Sequence, residues 1–146
     1  MNKAIVYCDG SFDPYRKIGG YGVVILHKGT KEFSESSLDA SSSTRAEMLG
    51  VIRAIESVGN KTDIIQIYTD SKTIVDAATK HLQIWIGNKW KKDIKNKDLW
   101  LRIFSLMKQY LIEWYWVNGH SGNQYNDRAD YLAKQSIGVE YAGIIW

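Results

Sequence analysis

Ala4-Ile5-Val6-Tyr7-Cys8-Asp9-Gly10-Ser11 is the stretch from which the fold can be worked outward. Five apolar residues in succession suit a central strand covered on both faces, because a strand wetted on one side alternates polar with apolar. Asp9-Gly10 ends the run with turn chemistry. Gly19-Gly20-Tyr21-Gly22-Val23-Val24-Ile25-Leu26 forms a second strand with a glycine-rich entry, and Lys28-Gly29 turns the chain into a more polar strand near 31–37, an edge. These three runs predict an antiparallel meander.

Downstream the period changes. Met48, Val51, Ile52, Ile55 and Val58 recur at helical spacing, and Gly59-Asn60 supplies a stop. A strand follows at Ile64–Thr69, and Asp70-Ser71 opens a helix with Ile74, Val75, Ala78 and Leu82 inward. Leu99, Ile103, Leu106, Met107 and Tyr110 mark a longer helix, 113–117 alternates as a strand, and Ala129, Leu132, Ala133 and Ser136 give a last helix. The expected fold class is α/β. It is a five-stranded mixed sheet, with strands 1–3 antiparallel, strands 4 and 5 parallel to strand 1, and helices on both faces.

At 146 residues, with 45% hydrophobic and 24% charged residues, the chain reads as a single globular domain spanning 1–146. Its core covers about residues 3–137, and 138–146 form a C-terminal tail. It carries no repeat and no low-complexity linker. The one cysteine, Cys8, cannot form an internal disulfide, and its place in an apolar run suits a small packed hydrophobe. No charged-then-apolar leader opens the chain and no apolar run approaches the ~20 residues that span a bilayer, so a soluble, cytoplasmic monomer is expected.

The net charge of +3 is local in origin. Residues 88–97 hold five lysines (89, 91, 92, 95 and 97) against one aspartate, and the rest of the chain carries 14 basic and 15 acidic side chains. Such an asymmetry fits a protein that docks a polyanion on one surface.

Asp9 and Asp70 end two strands that should be neighbours, and Glu47 and Asp130 begin helices whose N-termini can face the same sheet edge. Each has a simpler role when taken singly. Asp9 can be a turn residue, Thr44-Arg45-Ala46-Glu47 fits a capping box, Asp70 can be an N-cap, and Asp127 and Asp130 can complement a helix dipole. Four carboxylates at one edge repel each other unless something neutralises them. A pair of divalent cations does so, and an all-oxygen ligand set favours Mg²⁺ or Mn²⁺ over zinc. Two such ions suit phosphoryl transfer.

Five motifs stand in order: Tyr7-Cys8-Asp9-Gly10-Ser11, Gly19-Gly20-Tyr21-Gly22, Thr44-Arg45-Ala46-Glu47, Tyr68-Thr69-Asp70-Ser71, and Gly119-His120-Ser121-Gly122 followed by Asn126-Asp127-Arg128-Ala129-Asp130. In order and spacing they resemble the type 1 ribonuclease H family over about residues 3–137. The resemblance implies a ribonuclease H-like fold and endonucleolytic hydrolysis of the RNA strand of RNA–DNA hybrids, leaving 5′-phosphate and 3′-hydroxyl ends. It implies two Mg²⁺ ions, replaceable by Mn²⁺, on Asp9, Glu47, Asp70 and Asp130. Asp9 would bridge both ions, Asp130 would complete the water-activating site, and Glu47 and Asp70 would hold the ion facing the leaving group. His120 would assist proton transfer or product departure. Asp127 is assigned to the helix N-terminus, and His27 and His81 fit no motif.

For the hybrid, the family's use of short polar groups in the minor groove points to Ser11, Ser43, Thr44, Arg45 and Ser71, which can address RNA 2′-hydroxyls. The family commonly carries asparagines at positions 43 or 44, and this chain does not. The lysine segment resembles the family's basic protrusion in a shortened form, with Lys89, Lys91 and Lys92 on DNA phosphates, Trp85 or Trp90 against a sugar, and Trp100 facing the core. No membrane and no obligate protein partner is expected. Rival readings are a related metal-dependent nuclease, a reverse-transcriptase ribonuclease domain, and a hybrid-binding protein with weak or no catalysis.

Overall fold

The computed structural model describes residues 2–91, 93–119 and 122–138. The chain runs β1 (Lys3–Asp13), β2 (Ile18–Leu26), β3 (Thr30–Ser37), α1 (Ser43–Val58), β4 (Ile64–Thr69), α2 (Lys72–Asp76), α3 (Leu82–Gly87), α4 (Lys97–Gln109), β5 (Ile112–Trp116) and α5 (Gln124–Ser136). A short 3₁₀ turn follows α1, and a π-helical segment at Ala77–His81 joins α2 to α3. The sheet order is β3-β2-β1-β4-β5. β1–β2 and β2–β3 pair antiparallel, and β1–β4 and β4–β5 pair parallel, as the meander and the crossover rule require.

The sheet is covered on both faces. Ala4, Val6 and Cys8 of β1 face a large core made with α1 and α4, including Met48, Ile52, Ile55, Leu99 and Ile103. Tyr7 points the other way and packs with Val24, Ala129 and Leu132 under α5. Both faces of β1 are therefore dry, which is why its sequence does not alternate. Edge strand β3 is largely exposed, in keeping with its polar composition. No described helix is long and apolar enough to cross a membrane.

Two expectations about local structure are corrected. First, Asp9-Gly10 is not a turn. β1 continues to Asp13, with Asp9 opposite Gly22 and Gly10 opposite Tyr21. Gly10 marks a close approach: a Cβ there would collide with the Glu47 amide nitrogen and the Ser43 carbonyl of α1. Second, α1 is capped by Ser42, whose Oγ accepts from the Arg45 amide at 3.0 Å, and not by Thr44. Glu47 then lies beyond the N3 position of a capping box, on the second turn, and its carboxylate has no capping task.

Candidate active site

β1 and β4 are paired only as far as Tyr7↔Tyr68, after which the two strands separate. Asp9 lies just past that point on β1, still held by β2, and Asp70 lies just past the end of β4. α1 crosses against Gly10 and drops Glu47 between them. The result is a cluster in which one carboxylate oxygen each from Asp9, Glu47 and Asp70 lie within 4.8 Å of one another. Asp9 and Glu47 are buried, at 8% and 3% exposure, and Asp70 is partly open. Asp130, on the second turn of α5 and 8% exposed, interacts directly with Asp9 from the other side. These four positions are the ones for which the sequence suggested convergence, and the fold brings them together at the carboxyl ends of parallel strands.

Each carboxylate is held by a named partner or constraint. Glu47 Oε2 accepts from Thr69 Oγ1 at 2.7 Å, and the same hydroxyl oxygen accepts from the Ser71 amide at 3.0 Å. The Gly10 amide donates to Asp9 Oδ1 at 2.9 Å. Lys134 Nζ pairs with Asp130 Oδ1 at 2.7 Å, one helical turn away. Asp70 is not an N-cap, because Ser71 caps α2 by accepting from the Ile74 amide. A Cβ on Gly119 would lie 2.9 Å from Asp70 Oδ2, so the chain leaving β5 passes close against this carboxylate. Thr69 and Lys134 were not singled out from the sequence. Asp130–Lys134 spacing at i,i+4 was a usable signal for the second, and a threonine beside a motif aspartate was a weak one for the first.

The electrostatics are those of a cation site. Burial, then the charge of Glu47 and hydrogen bonding to Asp130, push Asp9 up to about 10. Burial raises Glu47 to about 7, opposed by the Thr69 hydrogen bond and reinforced by Asp70. Burial and both acids also raise the Cys8 thiol, which stays protonated. Ligands must shed their protons to coordinate, so a cation competes with these protons and gains affinity as pH rises. Three clustered carboxylate oxygens that strain against their own charge fit a hard, oxygen-seeking divalent ion.

Ser43, Thr44 and Ser71 line a pocket of about 130 Å³ together with Asp9, Gly10, Glu47 and Asp70. Ser11 lies two residues beyond Asp9 on β1, opposite Gly20. Arg45 is placed differently from expectation. Its guanidinium is 13% exposed and forked between Asp39 and Asp98, with Nη2 at 2.8 and 2.6 Å, and it also donates to Asn96 Oδ1. It braces the N-terminus of α1 against that of α4, and these partners take up the donors that a substrate contact would need.

A larger cleft of about 480 Å³ lies beside the carboxylates, lined by Thr44, Thr73, Trp85, Ile94, Lys95 and Trp100 among others. Thr44 borders both spaces. Trp100 is buried, and Trp85 packs against both Trp90 and Trp100 with ring centroids 6.0 and 5.9 Å away. Lys89 and Trp90 both adopt left-handed backbone conformations, φ 57° and 60°, which fold the chain tightly after α3 and leave Lys89 and Lys91 exposed. Asp127 lies in the first turn of α5. His120, Lys92 and the tail from 139 lie outside the described residues.

Comparison with known proteins agrees with this geometry. The family model described as RNase H matches residues 1–138. Ribonuclease H of Francisella philomiragia is 39% identical over 141 residues, covering 93% of this chain and 91% of that protein. Ribonuclease H of Francisella tularensis subsp. novicida is 36% identical over 140 residues, with the same coverage of 93% and 91%. The crystal structure of LC9-RNase H1, a type 1 RNase H with the type 2 active-site motif, superimposes with a TM-score of 0.84 at 28% identity, covering 94% of this chain and 73% of that one. Sheet order, motif placement and relatives converge on one conclusion: the chain belongs to the ribonuclease H family, hydrolases that cut the RNA strand of RNA–DNA hybrids.

Proposed function

We propose that this chain hydrolyses the RNA strand of an RNA–DNA hybrid internally, with two Mg²⁺ ions, leaving 5′-phosphate and 3′-hydroxyl ends. The observation that carries the reading is the convergence of Asp9, Glu47 and Asp70, with Asp130 against Asp9, at one sheet edge. Asp9, Glu47, Asp70 and Asp130 hold the ions, and Mn²⁺ can replace Mg²⁺ in an all-oxygen site. When bound, the ions supply an activated water and neutralise charge developing on the phosphate.

The protein's own groups do the rest. Thr69 holds the Glu47 carboxylate, and Lys134 holds that of Asp130. Ser43, Thr44 and Ser71 offer hydroxyls around the carboxylates, where short donors and acceptors can engage the 2′-hydroxyls that distinguish RNA from DNA. Ser11 extends this line along β1. Arg45 serves the substrate indirectly, by fixing the loop and helix ends that carry Ser43 and Thr44. Lys89, Lys91 and Lys92 grip DNA phosphates, with Trp85 or Trp90 against a sugar. His120, whose residue type can carry protons, assists proton transfer or product departure. The enzyme acts as a single catalytic domain and as a monomer in the cytoplasm.

The deciding experiment is cleavage of a labelled RNA–DNA hybrid with Mg²⁺, beside the same RNA alone and a matched DNA duplex, with EDTA as control. Cutting confined to the RNA of the hybrid and stopped by EDTA is the expected result. A hybrid that is bound and left intact would instead make the chain a binding protein.

A further inference from the structure

We infer that Trp116 is a positioning residue for Asp70: its indole Nε1–H donates to the Asp70 carbonyl oxygen at 3.1 Å and fixes the backbone from which that carboxylate projects. The inference rests on the reading of Asp70 as a metal ligand.

The Trp116 bond falls directly after the last pair of the β4–β5 ladder. The β4–β5 ladder ends with Thr69 opposite Trp116, and the Val117 amide closes it by donating to the Thr69 carbonyl at 2.9 Å. Asp70 lies one residue beyond that last pair. Asp9 has β2 beside it, Glu47 lies within α1 and Asp130 within α5. Asp70 is also the most open of the four. Trp116 extends the ladder's hold by one residue through its side chain. From the other direction Gly119 passes so close that a Cβ would lie 2.9 Å from Asp70 Oδ2. The end of β5 thus confines Asp70 at both its carbonyl and its carboxylate.

Packing alone does not account for this tryptophan. Trp116 is 50% exposed, whereas Trp114 on the same strand packs against the core. An indole left half in water gains only part of the burial energy open to it, so its directed N–H bond is the distinctive contribution. Groups that orient a metal ligand from outside typically change affinity by 10–100-fold when removed. A bond to the ligand's backbone acts one step further away, and a loss of about three- to tenfold is expected.

The test is calorimetric titration of the nucleic-acid-free protein with Mn²⁺, comparing wild type, Trp116→Phe, Trp114→Phe and Asp70→Asn. Trp116→Phe should raise the Mn²⁺ Kd about three- to tenfold. Trp114→Phe, which removes an indole N–H from the same strand without touching Asp70, should leave it unchanged. Trp116→Gln, whose amide can still donate, should recover part of the loss. Wild-type affinity in Trp116→Phe, with Asp70→Asn impaired, overturns the positioning role alone. Wild-type affinity in Asp70→Asn removes the ligand assignment and the inference with it. A readout that needs no variant is the Trp116 indole proton in the wild-type protein. Its solvent exchange should slow at least about threefold on Mg²⁺ addition, as an ordered Asp70 tightens the bond, and unchanged exchange overturns the proposal.

Discussion

The carboxylate site and the lysine segment, two regions that meet at Thr44, are built on opposite principles. Asp9, Glu47 and Asp130 are buried, and the carboxylates come from β1, α1, α5 and the end of β4, each secured by the sheet or by a named hydrogen bond. The segment around Lys89 and Lys91 follows the end of α3, and both lysines are exposed, while nearby Trp85 packs against Trp90 and Trp100. Coordination tolerates misplacements of only about half an ångström. Phosphate attraction extends over a Debye length of about 10 Å and tolerates loose side chains. In the proposed function, the chemistry belongs to the buried cluster and the polyanion grip to the surface segment.

The sharpest way to break the comparison is Asp70→Asn. It should abolish turnover, by more than the roughly 100-fold that loss of a supporting group costs, while folding and hybrid affinity remain. Metal-dependent cleavage at near wild-type rate would show that the carboxylate cluster is not the reaction centre. Next in size, Lys89→Ala with Lys91→Ala should raise KM by up to about tenfold with kcat little changed, and reduce the slope of log affinity against log salt by about 2. A fall in kcat with KM unchanged would move these lysines from grip to chemistry.

The third effect concerns stability. Asp9 and Glu47 are raised in the folded state, so the native protein retains protons that the unfolded chain releases above about pH 4. Folded-state stability from these groups is therefore greatest at low pH and falls as pH rises, through about 7 for Glu47 and on towards about 10 for Asp9. Asp9→Asn removes that penalty and should raise the metal-free Tm at pH 8 by about 3–6 °C, with a smaller gain at pH 5, measured by calorimetry. For the same reason Mg²⁺ should raise the wild-type Tm more at pH 8 than at pH 6. A wild-type Tm independent of pH and Mg²⁺ would contradict the strained-cluster account.

The smallest effect separates Arg45 from the lysines. Arg45→Lys should lower Tm by about 2–4 °C, because an ammonium cannot fork between Asp39 and Asp98, and should leave the salt slope of hybrid binding unchanged. A reduced slope would return Arg45 to the substrate.

Much of this was legible in the chain. The uninterrupted apolar run at Ala4–Cys8 announced a strand dry on both faces, and helical spacing from Met48 to Val58 announced α1. The order of the five motifs pointed to the family. What failed was local context. Asp9-Gly10 has the chemistry of a turn, and only the approach of α1 shows that Gly10 serves a crossing within a longer strand. Ser42 and Thr44 both suit an N-cap, and the choice fell to the backbone path out of β3.

By itself the sequence determined the pattern of elements, the identity of the acidic residues and the concentration of net positive charge in residues 88–97, since hydrophobic period and composition are properties of the chain alone. Tertiary structure decided what those residues touch. The Thr69 hydroxyl on Glu47, the Trp116 indole on Asp70 and the fork of Arg45 on Asp98 join residues 22, 46 and 53 positions apart. A hydrogen bond depends on distances of a few tenths of an ångström across separate elements, and no period along the chain encodes them.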